Sequence, residues 1–133
     1  MTSQVIYKGG LRTEATHIAS GQTIITDAPI DNRGKGEAFS PTDAVATALA
    51  SCMMTIMGIR AMDEGFIIDG AKAEVTKIMG SEPRRIGRIE IEITMPDQSY
   101  TDEQKAIIED ASRSCPVCKS LHLDLEKDIK VVW

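Results

Sequence analysis

Three cysteines, Cys52, Cys115 and Cys118, are the residues of this chain whose chemistry can go beyond packing. Cys52 stands in the middle of an apolar run. A thiol there is either a small buried hydrophobe or, with a cation close enough to hold it as thiolate, a nucleophile. Cys115-Pro116-Val117-Cys118 is a CxxC whose proline suits the first position of a helix, where the dipole favours an anionic first sulfur. By spacing alone it says little about thiol-disulfide exchange, since it lacks the βαβ start and the preceding aromatic of a thioredoxin-like pair. No second CxxC or Cys/His pair completes a zinc site. His17 and His122 share no motif with the cysteines, so neither a metal nor a cofactor is expected.

The element that must position Cys52 is the stretch Ser40–Gly65. Ser40 reads as the N-cap, Pro41 as the first helical residue and Asp43 as the acid that reaches back to the cap and opposes the helix dipole; Gly65 supplies the stop. Between Ala44 and Met62 only Thr47, Ser51, Thr55, Gly58 and Arg60 interrupt Ala, Val, Leu, Ile, Met and Cys. Roughly two dozen residues at about 1.5 Å each make a rod near 36 Å long, apolar on almost every face, which belongs inside something. The length would allow a membrane span. The alanine content, Thr, Ser and Arg60, and the lack of aromatic belts or basic flanks argue for a helix wrapped by sheets and a second subunit instead.

Around that helix the chain reads as α+β. Val5–Tyr7, Leu11–His17 and Gln22–Thr26, punctuated by Gly9-Gly10 and Ser20-Gly21, predict an antiparallel meander. Residues 27–39, with Pro29, Gly34 and Gly36 and no periodicity, predict a loop. Ile67–Met79 and Ile86–Met95 predict a hairpin; in the second strand Ile89, Ile91, Ile93 and Met95 alternate with Arg88, Glu90, Glu92 and Thr94, so one face is buried and the other wet. Thr101 and Gln104 form a capping box for a surface helix ending near Arg113, Pro116 starts a short helix to about His122, and Ile129–Trp133 is a last strand.

With 133 residues there is room for one domain, taken as residues 1–133. A net charge of -5 argues against nucleic acid as partner. MTSQVIYKGG has no signal-peptide h-region, which predicts a cytoplasmic protein whose cysteines rest reduced.

Ser40-Pro41-Thr42-Asp43, then eight residues, then Cys52 on an apolar helix, and much later Cys-Pro-Val-Cys at the head of a short helix, resembles the OsmC/Ohr family of thiol peroxidases. Thr26-Asp27-Ala28-Pro29 and the glycine-rich loop match the OsmC-like subgroup, so the resemblance covers nearly the whole chain. It implies an intertwined homodimer of curved antiparallel sheets packed around two long buried central helices, with active sites at the subunit interface. It further implies a peroxidatic Cys52, a resolving Cys115, organic hydroperoxides as substrates, and small dithiols or lipoylated proteins as reductants, without nucleic acid or membrane. The chemistry needs an ionised sulfur, charge or a proton for the departing alkoxide, and an apolar pocket for the alkyl tail. Met53, Met54 and Met57 suit such a wall, and suit a core equally well.

For the cation, Arg12 matches the strand position of the Ohr branch and Arg33 the loop position of the OsmC branch, with Arg12 preferred; each reads equally as a solvated charge. Arg60, eight residues beyond Cys52, reads as one half of a structural ion pair. The family's peroxidases carry Glu ten residues before the first cysteine, holding the arginine, where this chain has Thr42; Asp43 follows one step on, about 100° around the helix. That difference favours a second reading, an OsmC-like homodimer that binds a small apolar or electrophilic ligand without peroxide turnover. A third, thiol-disulfide exchange by Cys115 and Cys118 alone, ranks last.

Overall fold

The computed structural model describes all residues, Met1–Trp133. It divides into two compact units, Met1–Val45 and Ala46–Trp133.

The first unit is a three-stranded antiparallel meander, β1 (Ser3–Gly9), β2 (Arg12–His17) and β3 (Thr23–Asp27), in that order across the sheet. The predicted meander is present, with strands beginning one or two residues away from the expected limits. Gly9 and Gly10 turn between β1 and β2 at φ 82° and 60°, the left-handed region that costs glycine little. Among Met1–Val45 only Asp27 and Ser40 are buried. Val5, Ile6, Tyr7, Ile24 and Ile25 all lie exposed on the strands, so this sheet has apolar side chains and no apolar core.

The predicted loop from Asp27 to Phe39 is ordered by its own backbone. A short 3₁₀ turn, Ile30–Asn32, is followed by hydrogen bonds from the Gly34 N–H to the Pro29 carbonyl at 2.9 Å and from the Gly36 N–H to the Ala28 carbonyl at 3.3 Å. Gly34 is required here: a Cβ on it would sit 1.6 Å from the Ala28 carbonyl oxygen. The loop ends with the Asp27 N–H donating to the Phe39 carbonyl at 3.1 Å, which delivers the chain to the long helix.

That helix, α1 (Pro41–Asp63), starts and stops where the sequence sets it. The Asp43 N–H donates to Ser40 Oγ at 3.1 Å while the Ser40 N–H donates to Asp43 Oδ2 at 2.8 Å, a reciprocal cap. Gly65 stands just beyond the end at φ 76°. By length and composition α1 could cross a membrane. Within the second unit, however, Ala46, Leu49, Ala50, Met53, Met57 and Ala61 form one face of a core shared with strands and helices. The expectation of a helix enclosed all round is met on that face alone: Val45, Ala48, Ser51, Thr55, Ile59 and Met62 form an exposed stripe.

The rest of that core comes from β4 (Lys72–Ser81), β5 (Arg84–Thr94), α2 (Asp102–Ser112), α3 (Pro116–Ser120) and β6 (Glu126–Val132). On β5, Ile89, Ile91 and Ile93 are buried while Arg88 reaches Glu126 and Asp128 at 2.7 Å on the other face, as the alternation predicts. The Thr101–Gln104 capping box forms as read. One feature corrects the expectation of antiparallel sheets: β4 and β5 pair antiparallel, whereas β5 and β6 pair parallel, giving a mixed sheet. Parallel neighbours need a crossover of a dozen residues or more, and α2 with α3 supplies it. Trp133 then docks on α2, its Nε1 donating to Glu109 at 3.3 Å under the Lys105 ammonium.

Candidate active site

Two clusters of reactive or charged groups stand out, one in each unit. The first is the set of thiols in Ala46–Trp133. Cys52 sits at mid-length of α1, half-buried and packed against the core. Cys115 is fully buried and caps α3: its sulfur accepts the Cys118 N–H at 3.3 Å. Cys118, half-buried, completes the group. Burial pushes the Cys115 thiol up; the Cys118 N–H opposes this, while hydrogen bonding with Cys52 and the proximity of both other sulfurs add to it. Cys115 is therefore a neutral thiol beside two more accessible ones. The sequence placed the buried sulfur on α1, and the structure places it at the CxxC instead, because α1 has one open face while the α3 cap faces the core.

All three cysteines are free, and no group of three or more His, Cys, Asp or Glu side chains is arranged to hold a metal ion. Met53 and Met57 are fully enclosed and serve as core; Met54 is half-buried. Arg60 is exposed at the end of α1, and no ion pair forms there within the chain. His17 bonds Ser20 at 2.7 Å, and His122 accepts the Asp124 N–H at 3.1 Å, both at the surface.

The second cluster lies in Met1–Val45. Arg12, on β2, donates through Nε and Nη2 to both oxygens of Asp27, each at 2.7 Å, and Nη2 also reaches Glu37 at 3.0 Å. Strand register makes this pair: Arg12 and Asp27 are direct partners across β2 and β3. Asp27 Oδ2 accepts the Glu37 N–H at 3.2 Å, which pins the ordered loop to the strand. The guanidinium holds the buried Asp27 carboxyl below its ordinary value, and the two carboxylates hold Arg12 charged. Nη1 takes part in none of these bonds. Arg33, by contrast, sits exposed with a left-handed backbone at φ 66°. Asp43 lies in the α1 cap.

Sequence reading missed Glu37 and gave Asp27 no role. It looked for a carboxylate ten residues before Cys52 and found Thr42. The available signal was a strand-ending aspartate followed ten residues later by a glutamate beyond a Gly-x-Gly, with an arginine as their natural counter-ion.

A long helix bearing a thiol, a second thiol at a short helix cap, and strands that flank both define a class of small α+β thiol proteins. The chain belongs to the OsmC-like protein family, whose model matches residues 34–130. That span contains the cysteines and Glu37 but neither Arg12 nor Arg33. The chain is 50% identical to a Psychrobacter arcticus protein provisionally described as an osmotic stress induced and detoxification response protein; the match covers 98% of this chain and 95% of that one, with a TM-score of 0.94. An organic hydroperoxide resistance protein of Legionella pneumophila shares the fold at 14% identity, covering 100% and 98% of the two chains, with a TM-score of 0.78. One of Bacillus subtilis does so at 15% identity, covering 98% of each, with a TM-score of 0.66. No curated protein matches the chain.

Proposed function

We propose that this protein is a thiol-dependent peroxidase that reduces organic hydroperoxides in oxidative stress defence, as a homodimer. The observation that carries the reading is the difference in burial between two neighbouring sulfurs: a half-buried Cys52 beside a fully buried Cys115. The Cys52 thiolate attacks the distal peroxide oxygen, the O–O bond breaks, and the alkoxide leaves to be protonated to the alcohol. The sulfenic acid on Cys52 then condenses with the Cys115 thiol, releasing water and forming a disulfide. A buried resolving thiol fits this order, because it is shielded from peroxide and already next to its target. A dithiol or lipoylated protein restores both thiols.

Arg12 is the cation assigned to charge stabilisation, preferred to Arg33 because two carboxylates align it. Glu37 supplies the guanidinium-holding carboxylate that Thr42 does not. Asp43 acts on the site only by fixing the start of α1. The second copy is supported by two apolar surfaces described separately above: the coreless sheet of the first unit, and the α1 stripe from Val45 to Met62, whose Ala48 and Ser51 allow close approach.

Mixing the reduced protein with cumene hydroperoxide tests the reading. Loss of two thiols per chain and a Cys52–Cys115 cross-link by mass spectrometry are expected, with Cys52→Ser inert and Cys115→Ser accumulating sulfenic acid at Cys52. Unchanged thiols would leave the non-turnover ligand binder as the better account.

A further inference from the structure

The family chemistry uses two sulfurs, and this chain brings a third to the same place. We propose that Cys118 is a redox-active thiol that takes the disulfide over from Cys52, passing it to the Cys115–Cys118 pair, where an external dithiol reduces it. The inference rests on the peroxidase reading for how the first disulfide arises.

Three observations carry it. First, Cys115 is the common neighbour: its sulfur interacts with Cys52 and also accepts the Cys118 N–H at 3.3 Å. Second, access is graded, since Cys115 is fully buried while Cys52 and Cys118 are both half-buried. An incoming reductant cannot reach Cys115, so it must attack either Cys52 or Cys118. Attack at Cys52 would tie the peroxide-reactive sulfur into a mixed disulfide during every reduction; attack at Cys118 leaves it free. Third, the backbone is already shaped for the second pair. Cys115 caps α3 from an extended backbone, and its sulfur already lies 3.3 Å from the backbone nitrogen of Cys118, over the turn that carries the second thiol. Closing a disulfide needs the two Cβ atoms about 3.5–4.5 Å apart, and Cys115, standing outside the helix, can turn toward Cys118 without unwinding α3. The alternative, that Cys118 only packs against the core, accounts for its burial but not for its place beside the sulfur that Cys52 also neighbours.

The step balances without a further oxidant. The Cys118 thiol loses its proton and attacks the Cys115 sulfur of the Cys52–Cys115 disulfide; the Cys115–Cys118 bond forms as the Cys52–Cys115 bond breaks, and Cys52 leaves as thiolate, its electron pair restored. The external dithiol then opens Cys115–Cys118 at the half-buried Cys118 sulfur, the more accessible of the two, becoming a disulfide itself. Cys115 is the leaving group there, helped by the Cys118 N–H that points at its sulfur.

Trypsin cuts after Arg113 and Lys119, so Cys115 and Cys118 share one peptide and Cys52 lies on another. An intrapeptide disulfide and a cross-link are thus distinguished by mass after acid quench and alkylation. In one arm the reduced protein receives a single equivalent of cumene hydroperoxide and is sampled over time. In the other it equilibrates in a glutathione redox buffer without peroxide. The expected course is a Cys52–Cys115 cross-link that decays into the Cys115–Cys118 peptide as Cys52 becomes alkylatable again; the buffer arm yields the same final pair as the majority disulfide. Cys118→Ser, checked for native circular dichroism, stops at the cross-link. A cross-link that persists in the peroxide arm, with Cys118 still alkylatable, overturns the handover whatever the buffer arm yields. No thiol loss with peroxide, beside a Cys115–Cys118 pair in the buffer, sinks the peroxidase reading alone and leaves Cys118 redox-active.

Discussion

At the scale of single residues, the Arg12–Asp27–Glu37 group makes the sharpest demands. Two carboxylates face one guanidinium, so the trio carries a net negative charge; in the proposed peroxidase it would offer a substrate direction rather than surplus charge. Lysine keeps the charge and loses the fork, so Arg12→Lys should lower kcat/KM for an organic hydroperoxide by roughly 10²-fold, read in a dithiol-coupled assay. The same trio sets an acid limit. Arg12 lowers the Asp27 carboxyl below its ordinary value. Its contribution to stability is therefore complete above about pH 4, the unfolded aspartate value, and is lost as pH falls through the lower folded value. The urea midpoint of the wild type should drop below about pH 4, and that of Asp27→Asn should drop less over the same range, the remaining descent belonging to other paired carboxylates such as Glu74. Little of the trio was legible beforehand: Arg12 was found, but as an isolated charge, because a cross-strand partner fifteen residues away depends on a register that no local pattern fixes. The cysteines were legible individually, and their depths were not, since depth belongs to packing.

At the scale of elements, the parts set by local rules were readable and the parts set by distant chain were not. The caps of α1 and α2, the alternation on β5 and the glycine stop follow from residues within a few positions of one another. Ser40→Ala should accordingly cost about 1 kcal/mol of stability in urea unfolding, the usual loss of a capping hydroxyl. The direction of β6 could not be read, because it depends on the path of α2 and α3. Nor could the order within the loop from Asp27 to Phe39, which looked like turn residues without periodicity. Its order depends on one close approach, where Gly34 passes the Ala28 carbonyl. Gly34→Ala should loosen that loop and release Glu37 from Asp27. The expected result is faster amide exchange at Glu37 and weaker peroxidase activity, with the thiol cluster's disulfide chemistry intact.

For the whole molecule, the distribution of burial is lopsided. Every buried apolar side chain lies in Ala46–Trp133, and the first unit encloses only a carboxylate and a hydroxyl. The proposed homodimer would give cover to this two-faced apolar sheet and to the open stripe of a helix that is covered on one face here. Ile59 lies on that stripe, 48% exposed, outside the core of its own unit. If the stripe is the seam of the proposed homodimer, Ile59→Glu should convert dimer to monomer in light scattering while helical far-ultraviolet circular dichroism persists.

A sheet that cannot bury its own valine, tyrosine and isoleucines has a consequence for how the protein is made and kept. In the proposed homodimer that sheet would find apolar cover only once two chains meet. Yield and lifetime would then scale with expression level, and extreme dilution would leave the amino-terminal strands open to proteases while the carboxy-terminal half survives.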